Sequence, residues 1–229
     1  MNAWVVEEGG VALRQLRNPW LDAGRGIALL LMALFHLQVD RVDFFAQSGD
    51  YRQGVWWLAG KTSVLLFLFL AGAVAKNDHV FTQRNVRLGA AAFLVSGVTW
   101  IVIPEAYVRF GILHLLAVAG CLSGLFALLP TRQLIGVVLA LAMTAFLPAS
   151  SWLFGPETPE ATLDHYPLFP WLGVYIAGMA AARFNLTSWR IRQPLPLLLK
   201  PVAGLGRRTL LIYLLHQPIL LLILFIWYQ

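Results

Sequence analysis

The stretch Leu21-Asp22-Ala23-Gly24-Arg25-Gly26 runs straight into Ile27-Ala28-Leu29-Leu30-Leu31-Met32-Ala33-Leu34-Phe35-His36, and its reading decides the fold. Apart from a few ionisable residues it is largely Leu, Ala, Ile and Phe. It lies in a mostly apolar segment, 24–44, and a membrane span needs about 20 such residues. Asp40 and Asp43 near its far end make it the least regular of the segments that qualify. Six more follow: 55–75, 87–104, 108–129, 133–153, 168–186 and 208–228. The expected fold is therefore all-α, a polytopic membrane bundle of about seven transmembrane helices forming one domain over 1–229.

Composition agrees. Of 229 residues, 59% are hydrophobic and 12% charged, where soluble domains carry about 25% charged residues. A soluble fold of this size has no interior large enough for so much apolar surface. The net charge of +6 does not signal nucleic acid, because the basic residues are scattered between apolar runs. The single cysteine, Cys121, sits mid-helix among Ala, Gly and Leu with no neighbouring base and reads as an inert core residue. Met1 to Leu21 lacks the apolar core of a signal peptide, so the first helix is expected to serve as an uncleaved membrane signal.

Orientation follows from the positive charges. With the N-terminus inside, the cytoplasmic segments hold Arg14, Arg17, Arg25, Lys76, Arg84, Arg87, Arg132, Arg183, Arg190, Arg192, Lys200, Arg207 and Arg208. The other side holds Arg41, Arg52 and Arg109, and Lys61 falls within a helix. That bias places the N-terminus in the cytoplasm and the C-terminus outside. Trp56, Trp57, Trp152, Trp171 and Trp227 lie near predicted span ends, as an aromatic belt does. The acidic Asp40, Asp43, Asp50, Glu105, Glu157, Glu160 and Asp164 fall towards the outside. The connection 187–207, with Pro194, Pro196 and Pro201 among basic residues, reads as a cytoplasmic loop with a short surface helix.

Ionisable groups inside a span are expensive and are functional candidates. At about 100° per residue, Asp22, Arg25, His36, Asp40 and Asp43 share one narrow face of the first helix. Such a stripe faces a bundle interior or a wet cavity. Asp22 and Arg25 equally suit a capped helix start at the cytoplasmic surface. Lys61 lies about 9 Å and His36 about 12 Å below the outer surface, with His114 at a similar depth, so the three can share a layer. Snorkelling to the interface accounts for Lys61 as well, and an interhelical hydrogen bond for His114. The last span puts Thr209, Tyr213 and His216 on one face, His216 about 12 Å above the inner surface, where a ligand from inside can meet it. No phosphate-binding loop, His-Glu-x-x-His, Gly-x-Ser-x-Gly or metal-site spacing is present, and no inverted repeat of broken helices is evident.

Taken in order, several motifs resemble those of a bacterial membrane family related to the catalytic domain of heparan-alpha-glucosaminide N-acetyltransferase. They are Leu21 to Gly26 with Phe35-His36, Phe67-Leu68-Phe69-Leu70-Ala71-Gly72, and Phe110-Gly111-Ile112-Leu113-His114. Phe169-Pro170-Trp171 with Gly173 and Gly178, and Leu205-Gly206-Arg207-Arg208 running on to Tyr213 and His216-Gln217-Pro218, complete the set over roughly 21–218. The first and last also look like the wider transmembrane acyltransferase group. The resemblance implies an enzyme that carries an acetyl group from cytoplasmic acetyl-CoA, its co-substrate, to an acceptor across the bilayer. In the animal enzyme the proposed active histidine lies just beyond the first helix. Here 44–54 has none, and His36 within the helix fits the wider group better.

The residues then suggest roles. His36 serves as general base or acyl carrier, with Asp40 one turn on to orient it, and Lys61 or His114 to stabilise an oxyanion. Arg25, Arg207 and Arg208, with Tyr213 and His216, meet acetyl-CoA from inside, although Arg207 and Arg208 equally express the positive-inside bias. The expected partners are acyl-CoA, a sugar or lipid-linked acceptor and the bilayer, with a homodimer as the assembly to test and no nucleic acid or metal. Two other functions suit the same stripe: a transporter or flippase for a small anion or lipid-linked sugar, and a non-catalytic membrane subunit.

Overall fold

A computed structural model describes residues 18–75, 82–146, 162–184 and 194–229. Their regular structure is helical: α1 (Pro19–Asp43), α2 (Gly54–Ala73), α3 (Gln83–Val102), α4 (Ile112–Ala127), α5 (Thr131–Met143, closed by a 3-10 turn to Phe146), α6 (Leu168–Arg183), α7 (Leu199–Gly206) and α8 (Thr209–Trp227). One isolated bridge pairs Phe110 with His165. Each expected span overlaps one of these helices, and among the described residues α1, α2, α3 and α8 are long and apolar enough to cross a membrane. Of the features expected from sequence, Arg14, Arg17, Lys76, Arg190, Arg192, Glu157, Glu160 and Trp152 lie outside the described residues, as does 147–153 of the fifth span.

Local chemistry sets the helix starts. Asn18 accepts from the Trp20 amide at 3.0 Å with Pro19 at the first helical position, so α1 begins five residues before the expected 24. Thr82 caps α3 through the Asn85 amide at 3.1 Å. Arg183, at the end of α6, donates to the carbonyls of Phe126 and Ala127 at 3.3 and 2.8 Å and to that of Leu129. A cation thus sits against the carbonyls at and just beyond the end of α4.

Small residues set the packing. Gly72 of α2 faces the Tyr175 carbonyl and Gly178 of α6 faces the Phe69 carbonyl, so these two helices meet backbone to backbone. The expected loop helix, α7, is more than a surface element. A Cβ on Gly26 would strike the Val202 carbonyl, and one on Gly206 the Asp22 carbonyl, so α7 lies tightly against α1. The core gathers Leu68, Leu115, Leu134, Tyr175 and Ile176, all fully buried. Outside it, Phe93 (76% exposed), Ile101 (75%) and Trp227 (79%) face outward, which only a hydrocarbon solvent favours.

Candidate functional site

α1 and α8 bring His36 and His216 together, their rings edge to face with centroids 4.8 Å apart. Each Nδ1 is engaged with a carbonyl of its own helix: His36 with Met32 at 2.9 Å, His216 with Tyr213. A carbonyl only accepts, so Nδ1 carries the proton in both rings and Nε2 carries the lone pair. The His216 Nε2 is buried without a hydrogen-bond partner. Pro218, two residues on, cannot donate an amide hydrogen bond to the Leu214 carbonyl.

Asp40 is fully buried one turn beyond His36. Its Oδ1 accepts from Gln217 Nε2 at 2.6 Å, whereas its Oδ2 and the Gln217 Oε1 have no partner. The anchor of the His36 ring is thus the Met32 carbonyl, and Asp40 is tied to α8 instead. All four side chains line one cavity of about 610 Å³ in the half of the bundle away from Asn18.

Asp164 reaches the same cavity from the segment before α6. Its Oδ2 accepts from the Ile112 amide at 3.1 Å, at the N-terminus of α4, where the helix favours an anion. Burial raises its carboxyl to about 6, against the lowering effects of that amide and of the Lys61 charge. The segment is stitched in place by Leu163 N to Ala106 O at 2.8 Å and Tyr166 N to Phe110 O at 3.0 Å. Tyr166 also lines the cavity and lies under Lys61, whose Nζ is 5.8 Å from its ring centre and 5.5 Å from that of Trp171.

A second cavity of about 310 Å³ lies towards the start of α1. Arg25, Arg84, Arg87 and Arg207 line it, and Arg84 donates to the Ala71 carbonyl at 3.2 Å. Buried Asp22 pairs with Arg25 at 3.1 Å and lies 3.9 Å from Arg207, which fixes both at the rim. Phe67, Ile112 and Tyr213 line both cavities, so the arginine-lined cavity and the one holding the histidine pair adjoin at these side chains.

Of the residues singled out by sequence, the structure gathers His36, Asp40, His216 and Tyr213 at one cavity and Arg25, Arg207 and Tyr213 at the other. Arg208 is exposed and outside both linings. Lys61 lies behind Tyr166. His114 has both nitrogens occupied: Nδ1 accepts from the Gly111 amide at 3.2 Å and Nε2 meets Ser96 Oγ at 3.2 Å, which donates to the Val108 carbonyl at 2.6 Å. That histidine closes the start of α4 and braces it to α3. Sequence reasoning did not assign Asp164, Tyr166, Gln217, Arg84 or Arg87 to a site. Arg84 and Arg87, three apart at the start of a span, were the signal available for the mouth. Among the described residues, no three His, Cys, Asp or Glu side chains cluster to hold a metal ion.

No curated protein and no solved structure matches the chain. Residues 17–218 match the family model described as "Heparan-alpha-glucosaminide N-acetyltransferase, catalytic". That match spans most of the 229 residues, and the chain belongs to this membrane acetyltransferase family.

Proposed function

We propose that the protein is a single-domain, seven-span enzyme of the bacterial inner membrane, N-terminus in and C-terminus out, that transfers the acetyl group of cytoplasmic acetyl-CoA to an acceptor on the extracytoplasmic side. The observation that carries this reading is the pair of adjoining cavities, with four arginines at one end and two Nε2 lone pairs at the other. Guanidinium groups bind phosphates through paired charge-assisted hydrogen bonds, which suits the phosphates of CoA. The pantetheine arm then passes Phe67, Ile112 and Tyr213, and the thioester carbonyl arrives at His36.

His36 Nε2 takes the proton of an acceptor hydroxyl or amine as the acceptor oxygen or nitrogen attacks the thioester carbon. The carbon–sulfur bond breaks, and the proton passes to the departing thiolate to give free CoA. His216 Nε2, at the next ring, is the alternative proton holder. Asp40 acts through Gln217 to hold α8 in register with α1. Lys61 acts on Asp164 through its field, and His114 through the fold of α4. An acetyl-histidine intermediate on His36 is the variant of this scheme.

The test is turnover of radiolabelled acetyl-CoA by purified protein in proteoliposomes. Free CoA released by wild type and not by His36→Ala supports the reading. Uptake of solute without any chemical change supports a transporter instead, and neither activity supports a non-catalytic subunit.

A further inference from the structure

The walls of the outer cavity differ in exposure. Met32, Val64 and Ile112, on α1, α2 and α4, are buried. Leu94 (55% exposed), Val98 (51%) and Val102 (69%) on α3, and Leu211 (54%) and Leu215 (45%) on α8, line the cavity and are exposed. Exposed walls facing buried ones mark the open side of a cavity. Among the described residues, then, the cavity opens sideways between α3 and α8. α3 packs chiefly on α4 and α8 chiefly on α1, which leaves their seam lightly closed. Both helices are long and apolar enough to cross a membrane, so this mouth faces hydrocarbon rather than water.

The floor differs from the mouth. Asp40 Oδ2, His216 Nε2 and Gln217 Oε1 are buried there without hydrogen-bond partners, and Asp40 is 0% exposed. Buried polar atoms left unpaired are costly and call for a ligand that supplies donors or acceptors. A freely soluble sugar satisfies the floor and gains nothing from the apolar mouth. An amphiphile satisfies both. Chains of an acyl donor suit the space less well, because a chain fixed to CoA at the arginines needs a closed sleeve beyond the thioester, and this space has an open side.

Building on the acetyltransferase reading, we propose that the acceptor is a lipid: its hydrocarbon chain lies in the α3–α8 seam and its hydroxyl- or amine-bearing head reaches the His36–His216 pair. The acceptor enters from the bilayer, and the donor enters through the arginine mouth.

The proposal is tested on the full chain in nanodiscs, without acetyl-CoA, using a decyl glucoside that carries a diazirine in its alkyl chain. Light should label residues around Val98 and Leu215. Unlabelled decyl glucoside should block that labelling, and methyl glucoside should not. Val98→Trp fills the mouth from an exposed position and should cut labelling about tenfold, with Leu215→Trp as a second obstruction. Labelling spread evenly round the bundle, or indifferent to both substitutions, overturns the proposal. Displacement of the probe by octanoyl-CoA but not by decyl glucoside also overturns it, in favour of the donor's chain. Failure of the acetyl-transfer reading shows separately, as absent CoA release with the labelling intact.

Discussion

Gln217 on α8 donates a hydrogen bond to the fully buried Asp40 on α1 across 2.6 Å, which joins the residue after one histidine of the site to the residue one turn beyond the other. Removing one partner leaves the other buried and unpaired, whereas removing both leaves an apolar contact. Gln217→Leu is therefore expected to destabilise the protein by about 1–3 kcal/mol, and Asp40→Leu added to it to restore most of the loss. Thermal unfolding of the single and double variants at fixed detergent and lipid checks this. A double variant weaker than either single one contradicts it.

The tautomers of the histidine pair make a kinetic prediction. With Nδ1 of His36 committed to the Met32 carbonyl, only Nε2 can accept a proton from an acceptor. His36→Gln should lower kcat by about 10²- to 10⁴-fold, the usual worth of a general base, and leave the KM for acetyl-CoA close to wild type. His216→Gln should cost less if His216 acts through His36. Single-turnover kinetics with labelled acetyl-CoA separate the two, and a change confined to KM rules out the assignment.

The positions of the helices were legible from the apolar runs, since a bilayer demands about 20 apolar residues wherever the chain crosses it; among the described residues four helices, α1, α2, α3 and α8, are long and apolar enough to do so. The stripe of Asp22, Arg25, His36 and Asp40 was legible for the same reason: charges are rare in a span, and their periodicity shows on one helix. What one chain cannot display is which helices are neighbours. A shared depth for His114 and His36 was expected from the helical rise, yet His114 braces α4 to α3 while the ring that meets His36 comes from α8. Asp164 read as one of several outer acids, because nothing in its local sequence shows that its segment folds back onto the start of α4. The tightness of α7 against α1 hung on Gly26 and Gly206, whose role depends on a carbonyl from the other helix.

That contact gives a third prediction. A Cβ on Gly206 would collide with the Asp22 carbonyl, a backbone atom that cannot swing away. Gly206→Ala should cost about 1–3 kcal/mol, as overpacking does. It should also weaken acetyl-CoA binding, because Asp22 holds Arg25 at 3.1 Å at the rim of the arginine-lined cavity. Gly204→Ala on the same helix, where a Cβ meets open space, is the control and should change neither.

The arginine mouth gives a fourth. Arg87 lines the arginine-lined cavity from the start of α3. Loss of a charge-assisted contact costs about 1.5–3 kcal/mol, so Arg87→Gln should raise the KM for acetyl-CoA about tenfold or more and leave kcat nearly unchanged. The effect should shrink as salt rises, since screening weakens the wild-type attraction too. Arg208→Gln, outside the lining, should leave KM alone. Equal effects at both positions point to the membrane-surface charge rather than to a phosphate site.

Asp164 gives a dependence on pH. Burial raises its carboxyl from 3.8 to about 6 in the folded protein. A raised acid binds its proton more tightly folded than unfolded, so its contribution runs opposite to that of a salt-bridged carboxylate. Below about pH 4 the group is protonated in both states and imposes no penalty. As pH rises from about 4 to about 6 the unfolded chain releases the proton first and stability falls, by on the order of 3 kcal/mol once the folded group ionises. Asp164→Asn keeps an acceptor for the Ile112 amide and has nothing to titrate. Its Tm should therefore gain on wild type between pH 4 and pH 7 and level off above. Lys61→Met removes a charge that lowers Asp164, so it should move the wild-type window to higher pH. A Tm difference between wild type and Asp164→Asn that stays constant with pH would show that Asp164 ionises as freely in the fold as out of it.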